Sequence, residues 1–178
     1  MSIPALFSAL ALLLSHPVQH RPHVVAVHPV WPAQGSITSP FGRDGSRWHP
    51  GIDIGTLRSL AIRAAVPGRV EKVGEPVGFS GYGDIVLVRS SKGMEELYAH
   101  LSAYRVHAGE KLRAGERIAT AGCTGYCTGT HLHFEVREHG DPVSPLKTVL
   151  RPLLAPRPVP RPRILLSSRP PHSRKPLL

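Results

Sequence analysis

Between residues 51 and 137 the apolar positions come in short runs, rich in Val and Ile and fenced by Gly or Pro: 51–54, 61–66, 69–73 and 84–88. Short β-branched runs between turn residues predict strands. Met94–Leu101 fits a helix or a strand by spacing, and Tyr98 with the neighbouring runs favours a strand. Arg117–Ala121 and His131–Arg137 continue the series, and no window carries a helical repeat. Strands at about ten-residue spacing with turns between them predict an all-β fold, an antiparallel β-sandwich or barrel-like sheet.

The flanks follow other patterns. Ile3 to Leu14 is apolar, too short to span a bilayer and about as long as the core of an export signal, so 1–15 is expected to be one. No Lys or Arg precedes that run, and Ser15-His16-Pro17 makes a poor cleavage site. Residues 16–35 hold four His and four Pro without periodicity and read as a flexible lead-in. The domain is expected over 36–148. From 149 to 178 a basic, Pro-rich tail is expected to be disordered or extended. With 178 residues, 41% of them apolar, the chain can bury one core, and a monomer is expected.

The net charge of +10 suggests a nucleic-acid partner until it is located. Residues 151–178 carry seven Arg or Lys and no acid; the remainder holds fifteen bases against twelve acids. Bases in a tail, not interleaved with aromatics on a sheet face, argue against nucleic acid. Such a tail would be drawn to anionic lipid or to anionic polymers of a bacterial wall by screened Coulomb attraction. A membrane span is not expected. Cys123 and Cys127 sit in a Gly/Thr-rich segment; a disulfide suits an exported protein, free thiols and a metal half-site being the other readings.

Candidate chemistry lies in three segments. In His131-Leu132-His133-Phe134-Glu135-Val136 the two imidazoles must share one face of a strand, about 7 Å apart at the usual rise per residue. In His49-Pro50-Gly51-Ile52-Asp53 an imidazole and a carboxylate flank a glycine that permits close backbone approach. A His, an Asp and a second His from a distant strand leave a fourth position open, the arrangement of a catalytic zinc site. The third segment is Tyr98-Ala99-His100-Leu101, a histidine in an apolar strand, which taken alone reads as a satisfied core residue. His107, His139 and the lead-in histidines read as solvated.

Together the three segments resemble the lysostaphin-like (LytM-type) zinc metallopeptidases, whose marks are an H-x-x-x-D box, an H-x-H box and a histidine in a Y-A-H-L-like strand. The resemblance covers about 36–148, including Ser39-Pro40-Phe41-Gly42, Pro67-Gly68-Arg69-Val70, Ser80-Gly81-Tyr82-Gly83 and Val143-Ser144-Pro145-Leu146. It implies Zn2+ on His49, Asp53 and His133, with His100 and His131 as catalytic histidines off the metal. It further implies a secreted, wall-associated endopeptidase that cuts peptide crosslinks of bacterial peptidoglycan, with zinc-activated water as the attacking group. The family's arginine falls on Arg43 or Arg47. A silent module that activates another wall hydrolase is the competing reading, and such modules typically lack ligands that this chain keeps.

Overall fold

The computed structural model describes residues 28–45, 47–90 and 93–154. The expected export signal at 1–15, most of the lead-in and the tail from 155 onward lie outside the described residues.

The strands are β1 (Ser36–Ser39), β2 (Gly42–Asp44), β3 (Arg47–His49), β4 (Ile52–Gly55), β5 (Ala61–Arg63), β6 (Gly68–Gly74), β7 (Asp84–Ser90), β8 (Met94–Tyr104), β9 (Lys111–Leu112), β10 (Arg117–Ala121), β11 (Leu132–Glu138) and β12 (Asp141–Val143). The one helix among the described residues, α1 (Arg151–Leu154), is a single turn. No helix among them is long and apolar enough to cross a membrane. The fold is the all-β, antiparallel one that the short runs predict. Ten strands form one sheet in the order β1-β4-β11-β8-β7-β6-β9, with β12 beside β11 and β10 bridging β8 to β5; β2 and β3 form a separate ribbon.

Strand β8 is the pivot. Its first two thirds pair with β7 and β11, and its last residues leave them to pair with β10. The sheet thereby closes over one main core, built from Ile52, Ile54, Ile62, Tyr98, Leu101, Ile118, Leu132 and Phe134, all fully buried. Burying a Leu, Ile or Phe side chain contributes about 1.5–3 kcal/mol. Ile52 and Ile54 stand opposite Phe134 and Leu132, so these four clamp β4 to β11 and fix Asp53 opposite His133. A one-residue slip would turn every one of them to the wrong face. A smaller cluster, Ile85, Leu87, Leu97 and Ala99 under Phe79 and Tyr82, covers the other face of β7 and β8. Packing extends past 36–148 on both sides: Ala33, Val149 and Leu150 are buried and Trp31 packs on the core.

Glu96, fully buried beside Tyr98, receives a hydrogen bond from the Tyr98 hydroxyl on its Oε2 at 2.6 Å, and its Oε1 has no partner among the described residues. Burial pushes its pKa up to about 7, against the pull of the Tyr98 hydroxyl and the Val66 backbone. A carboxyl raised by folding favours the native state at low pH and loses that contribution as pH climbs from the unfolded-chain value through 7. Wild type is therefore expected to lose about 2–3 kcal/mol between pH 5 and pH 8 relative to Glu96→Gln, whose amide does not ionise. Denaturant melts of both proteins at the two pH values measure the difference, and parallel stability curves would sink the account.

Candidate metal and catalytic centre

His49 ends β3, Asp53 lies in the middle of β4, and His133 is directly across from Asp53 on β11. Gly51 makes this approach feasible: a Cβ there would sit 2.5 Å from the Phe134 carbonyl oxygen. Three atoms converge, with His49 Nε2 3.1 Å from His133 Nδ1, His133 Nδ1 2.8 Å from Asp53 Oδ1, and His49 Nε2 3.2 Å from Asp53 Oδ1. Two ligands on a tetrahedral zinc stand about 3.3–3.4 Å apart, given bonds of about 2.0–2.1 Å. The triangle therefore needs to open only slightly to hold such an ion.

Protons on the far sides of the rings decide what the triangle presents. His49 Nδ1 donates to the Pro40 carbonyl at 2.8 Å, and His133 Nε2 donates to Glu135 Oε1 at 3.0 Å. Each neutral ring then aims a lone pair inward. Two lone pairs and a carboxylate oxygen face one another, an arrangement that is favourable only around positive charge. The titration directions agree. Burial lowers His49 and His133, but a proton added to either inward nitrogen would be shared with Asp53, and this, with the bonds to Pro40 and Glu135, raises both above the ordinary value. Burial likewise raises Asp53, and its two imidazole partners reverse this to hold it well below the carboxylate range. The donor set fits zinc by geometry, softness and charge.

His100 and His131 stand beside this triangle. Their rings are 4.8 Å apart, centroid to centroid, and His131 Nε2 is 3.6 Å from Asp53 Oδ1. The Nδ1 atoms of the two rings donate backward, His100 to the Thr124 carbonyl at 2.8 Å and His131 to the Gly129 carbonyl at 2.7 Å. Their Nε2 atoms are left as the free bases. Burial, with the neighbouring His131, keeps His100 below the ordinary histidine range although Thr124 opposes the shift. His100 reaches the site through a bulge. Its φ of 59° lies in the left-handed region, and the β7–β8 register slips between Asp84 and Val86 around it. Ala99 belongs to the outer cluster and Leu101 to the main core, so the bulge hands His100 to the outer face, where strict alternation from Tyr98 would bury it in the core.

Behind His133 lies a support that the spacing of the boxes does not announce. Glu135, fully buried, accepts from Tyr82 Oη at 2.6 Å and from Arg137 Nε at 2.7 Å besides His133. Burial raises this carboxyl, and the three donors more than undo the effect. An anionic acceptor fixes the His133 tautomer and ring plane and strengthens the ring as a ligand. Glu135→Gln places an amide where Arg137 needs an acceptor, so zinc affinity is expected to fall about 10- to 100-fold, measured by competition with a chelating dye. Unchanged affinity would reduce Glu135 to a packing residue.

The site opens into a cavity of about 330 Å³ walled by Arg47, Trp48, Ser80, Gly81, Tyr126 and Thr128. Trp48 and Tyr126 are largely exposed on its rim. Of the two arginines left open by the sequence, Arg47 lines the cavity, its guanidinium 5.9 Å over the Tyr126 ring, whereas Arg43 is an exposed partner of Trp48 across the β2–β3 ribbon. Cys123 and Cys127 are joined in a disulfide, with Cα atoms 5.3 Å apart.

Comparison with known proteins gives a consistent answer. The family model described as Peptidase family M23 matches residues 47–145. The chain is 40% identical over 120 residues to the DD-carboxypeptidase/endopeptidase Mpg of Neisseria meningitidis serogroup B, a match covering 64% of this chain and 27% of that protein. It is 35% identical over 117 residues to the murein hydrolase activator NlpD of Escherichia coli, covering 66% of this chain and 30% of that one. Among solved structures, a zinc-containing peptidase from Vibrio cholerae superposes with a TM-score of 0.55 at 31% identity, over 66% of this chain and 37% of the other. The chain thus spans less than a third of the length of these two curated relatives.

Proposed function

This chain belongs to peptidase family M23 of zinc-type metallopeptidases, and from that premise we propose that it is an endopeptidase that hydrolyses peptide crosslinks of bacterial peptidoglycan. The observation that carries the reading is the triangle of His49, Asp53 and His133 with all three acceptors turned inward, beside two imidazoles that are not part of it. His49, Asp53 and His133 would hold Zn2+. When bound, zinc supplies Lewis acidity that polarises a peptide carbonyl and makes water acidic enough to attack near neutral pH.

The remaining steps belong to the chain's own residues. His100, held neutral by burial, takes a proton at Nε2 from the attacking water; His131, bare at Nε2 at the outset, receives that proton from the neighbouring His100 ring and with it holds the carbonyl oxygen or protonates the leaving amine. Trp48, Tyr126 and Arg47 bound an open groove that suits an extended peptide better than a compact ligand. The place of action is the cell wall, outside the membrane, where a disulfide persists. The basic residues beyond 154 add electrostatic retention on anionic wall polymers.

The test is zinc content and turbidity clearance of purified peptidoglycan by the full chain, with and without a chelator. One zinc per chain, clearance, and loss of clearance on chelation with recovery on zinc addition support the reading. A zinc-loaded chain that clears nothing but accelerates another wall hydrolase would instead favour an activator, the role for which NlpD is named.

A further inference from the structure

The segment from Gly122 to Thr130 does more than wall the groove, because its carbonyls are the acceptors for both free histidines: Thr124 O for His100 and Gly129 O for His131. The two halves of the segment are anchored very differently. Thr124 Oγ1 donates to the Leu101 carbonyl at 2.8 Å and accepts from Asp84 N at 3.0 Å, and Tyr126 N donates to the Gly81 carbonyl at 2.8 Å. Gly83 and Gly125 lie so close that a Cβ on Gly125 would be 2.3 Å from Gly83 N. The half carrying Thr124 is thus locked into the loop before β7. From Cys127 to Thr130 no backbone hydrogen bond appears among the described residues until His131 N meets the Gly122 carbonyl at 3.3 Å. Besides the chain itself and that one hydrogen bond, what ties the half carrying Gly129 to the locked half is the Cys123–Cys127 bond, and the Cys127 sulfur also lies 3.7 Å from His131 Nδ1.

We propose that the Cys123–Cys127 bridge positions His131 for catalysis by holding the Gly129 carbonyl in place, while Thr124 holds His100 independently of the bridge. Cys123, Cys127 and Gly129 act here through His131 and are positioning residues. The inference rests on the catalytic role proposed above for His131. It separates the two histidines, since opening the bridge releases the tautomer and aim of one and leaves the other in place.

The experiment compares the full-length wild type with a Cys123→Ser/Cys127→Ser double variant and with wild type reduced by a phosphine. That reduction gives two thiols: the phosphine supplies two electrons and leaves as its oxide with the oxygen of one water, whose protons go to the sulfurs. Thiol counting on denatured, unreduced protein should find none. Nitrogen-detected imidazole spectra should show His131 as the Nδ1–H tautomer in wild type and exchanging between tautomers once the bridge is open, with His100 unchanged. Zinc content should stay at one per chain. On a crosslinked wall peptide kcat should fall about 10-fold, part of the contribution of a positioned proton carrier, with KM moving less than about twofold. The double variant should be indifferent to the phosphine. Two thiols in unreduced protein, an unmoved His131 spectrum, or zinc lost in step with activity would each overturn the proposal, the last by making the bridge a fold element only. Should wild type hold zinc and hydrolyse nothing, the endopeptidase reading fails by itself, and the His131 spectra still decide the positioning claim.

Discussion

His133→Ala is expected to remove zinc and hydrolysis together. The ring is almost wholly buried, 5% exposed, between Asp53 at 2.8 Å and Glu135 at 3.0 Å. Without it, His49 and Asp53 alone would face the ion, and the carboxylate of Glu135 would lose one of its three donors while remaining sealed from water. Losing an outer partner of a ligand typically costs 10- to 100-fold in metal affinity, so losing the ligand itself should cost more than about 100-fold. Dialysed protein assayed for zinc should then hold essentially none, and wall clearance should drop to the uncatalysed rate. A His133→Ala protein that keeps one zinc per chain would show that the ion sits elsewhere. Rescue by a high zinc concentration would show that only affinity was lost, with His49 and Asp53 still competent.

The chemistry of β11 was written in the sequence more fully than the H-x-H box suggests. His131, Leu132, His133, Phe134, Glu135, Val136 and Arg137 alternate polar and apolar without a break, so one face carries the four polar side chains and the other the core. Reading that alternation two residues further predicts that Glu135 and Arg137 stand behind His133, as they do. Tyr82 had no such signal: it reaches Glu135 from a glycine-rich loop 53 residues away, and only the folded sheet brings the two together. The long strands β6, β7, β8, β10 and β11 were legible because each has enough apolar positions to set a period. Strands β1, β2, β3, β9 and β12 have two to four residues, too few to establish one; β9 and β12 form on the edges of the longer β6 and β11, β1 pairs the equally short β4, and β2 and β3 pair with each other. The pairing of Asp53 with His133 is a register fact, enforced by Ile52, Ile54, Leu132 and Phe134, and spacing along the chain cannot state it. Val149 and Leu150 were absorbed into an expected tail because the prolines that follow dominate the composition there.

His100 is the residue for which sequence reasoning and folded geometry diverge most, and it yields the sharpest test of the mechanism. By alternation it belongs to the core beside Tyr98; its left-handed backbone, φ 59°, turns it instead toward His131. Ordinary residues lose roughly 1–2 kcal/mol in that conformation, whereas asparagine tolerates it. His100→Asn therefore removes the imidazole while sparing the bulge, and His100→Ala removes both the imidazole and the backbone tolerance. For His100→Asn the expected result is one zinc per chain, a melting temperature near wild type, and kcat lower by about 10²- to 10⁴-fold, the usual contribution of a positioned acid or base. His100→Ala should show the same kinetic loss with an added drop in stability of about 1 kcal/mol. If the asparagine variant instead kept its kcat, His131 alone would have to manage both proton transfers, and the bulge would stand as a feature of the sheet with no catalytic purpose. If it lost zinc as well, His100 would belong with His49, Asp53 and His133 as a ligand, and the separation between holding the metal and moving protons would have to be redrawn.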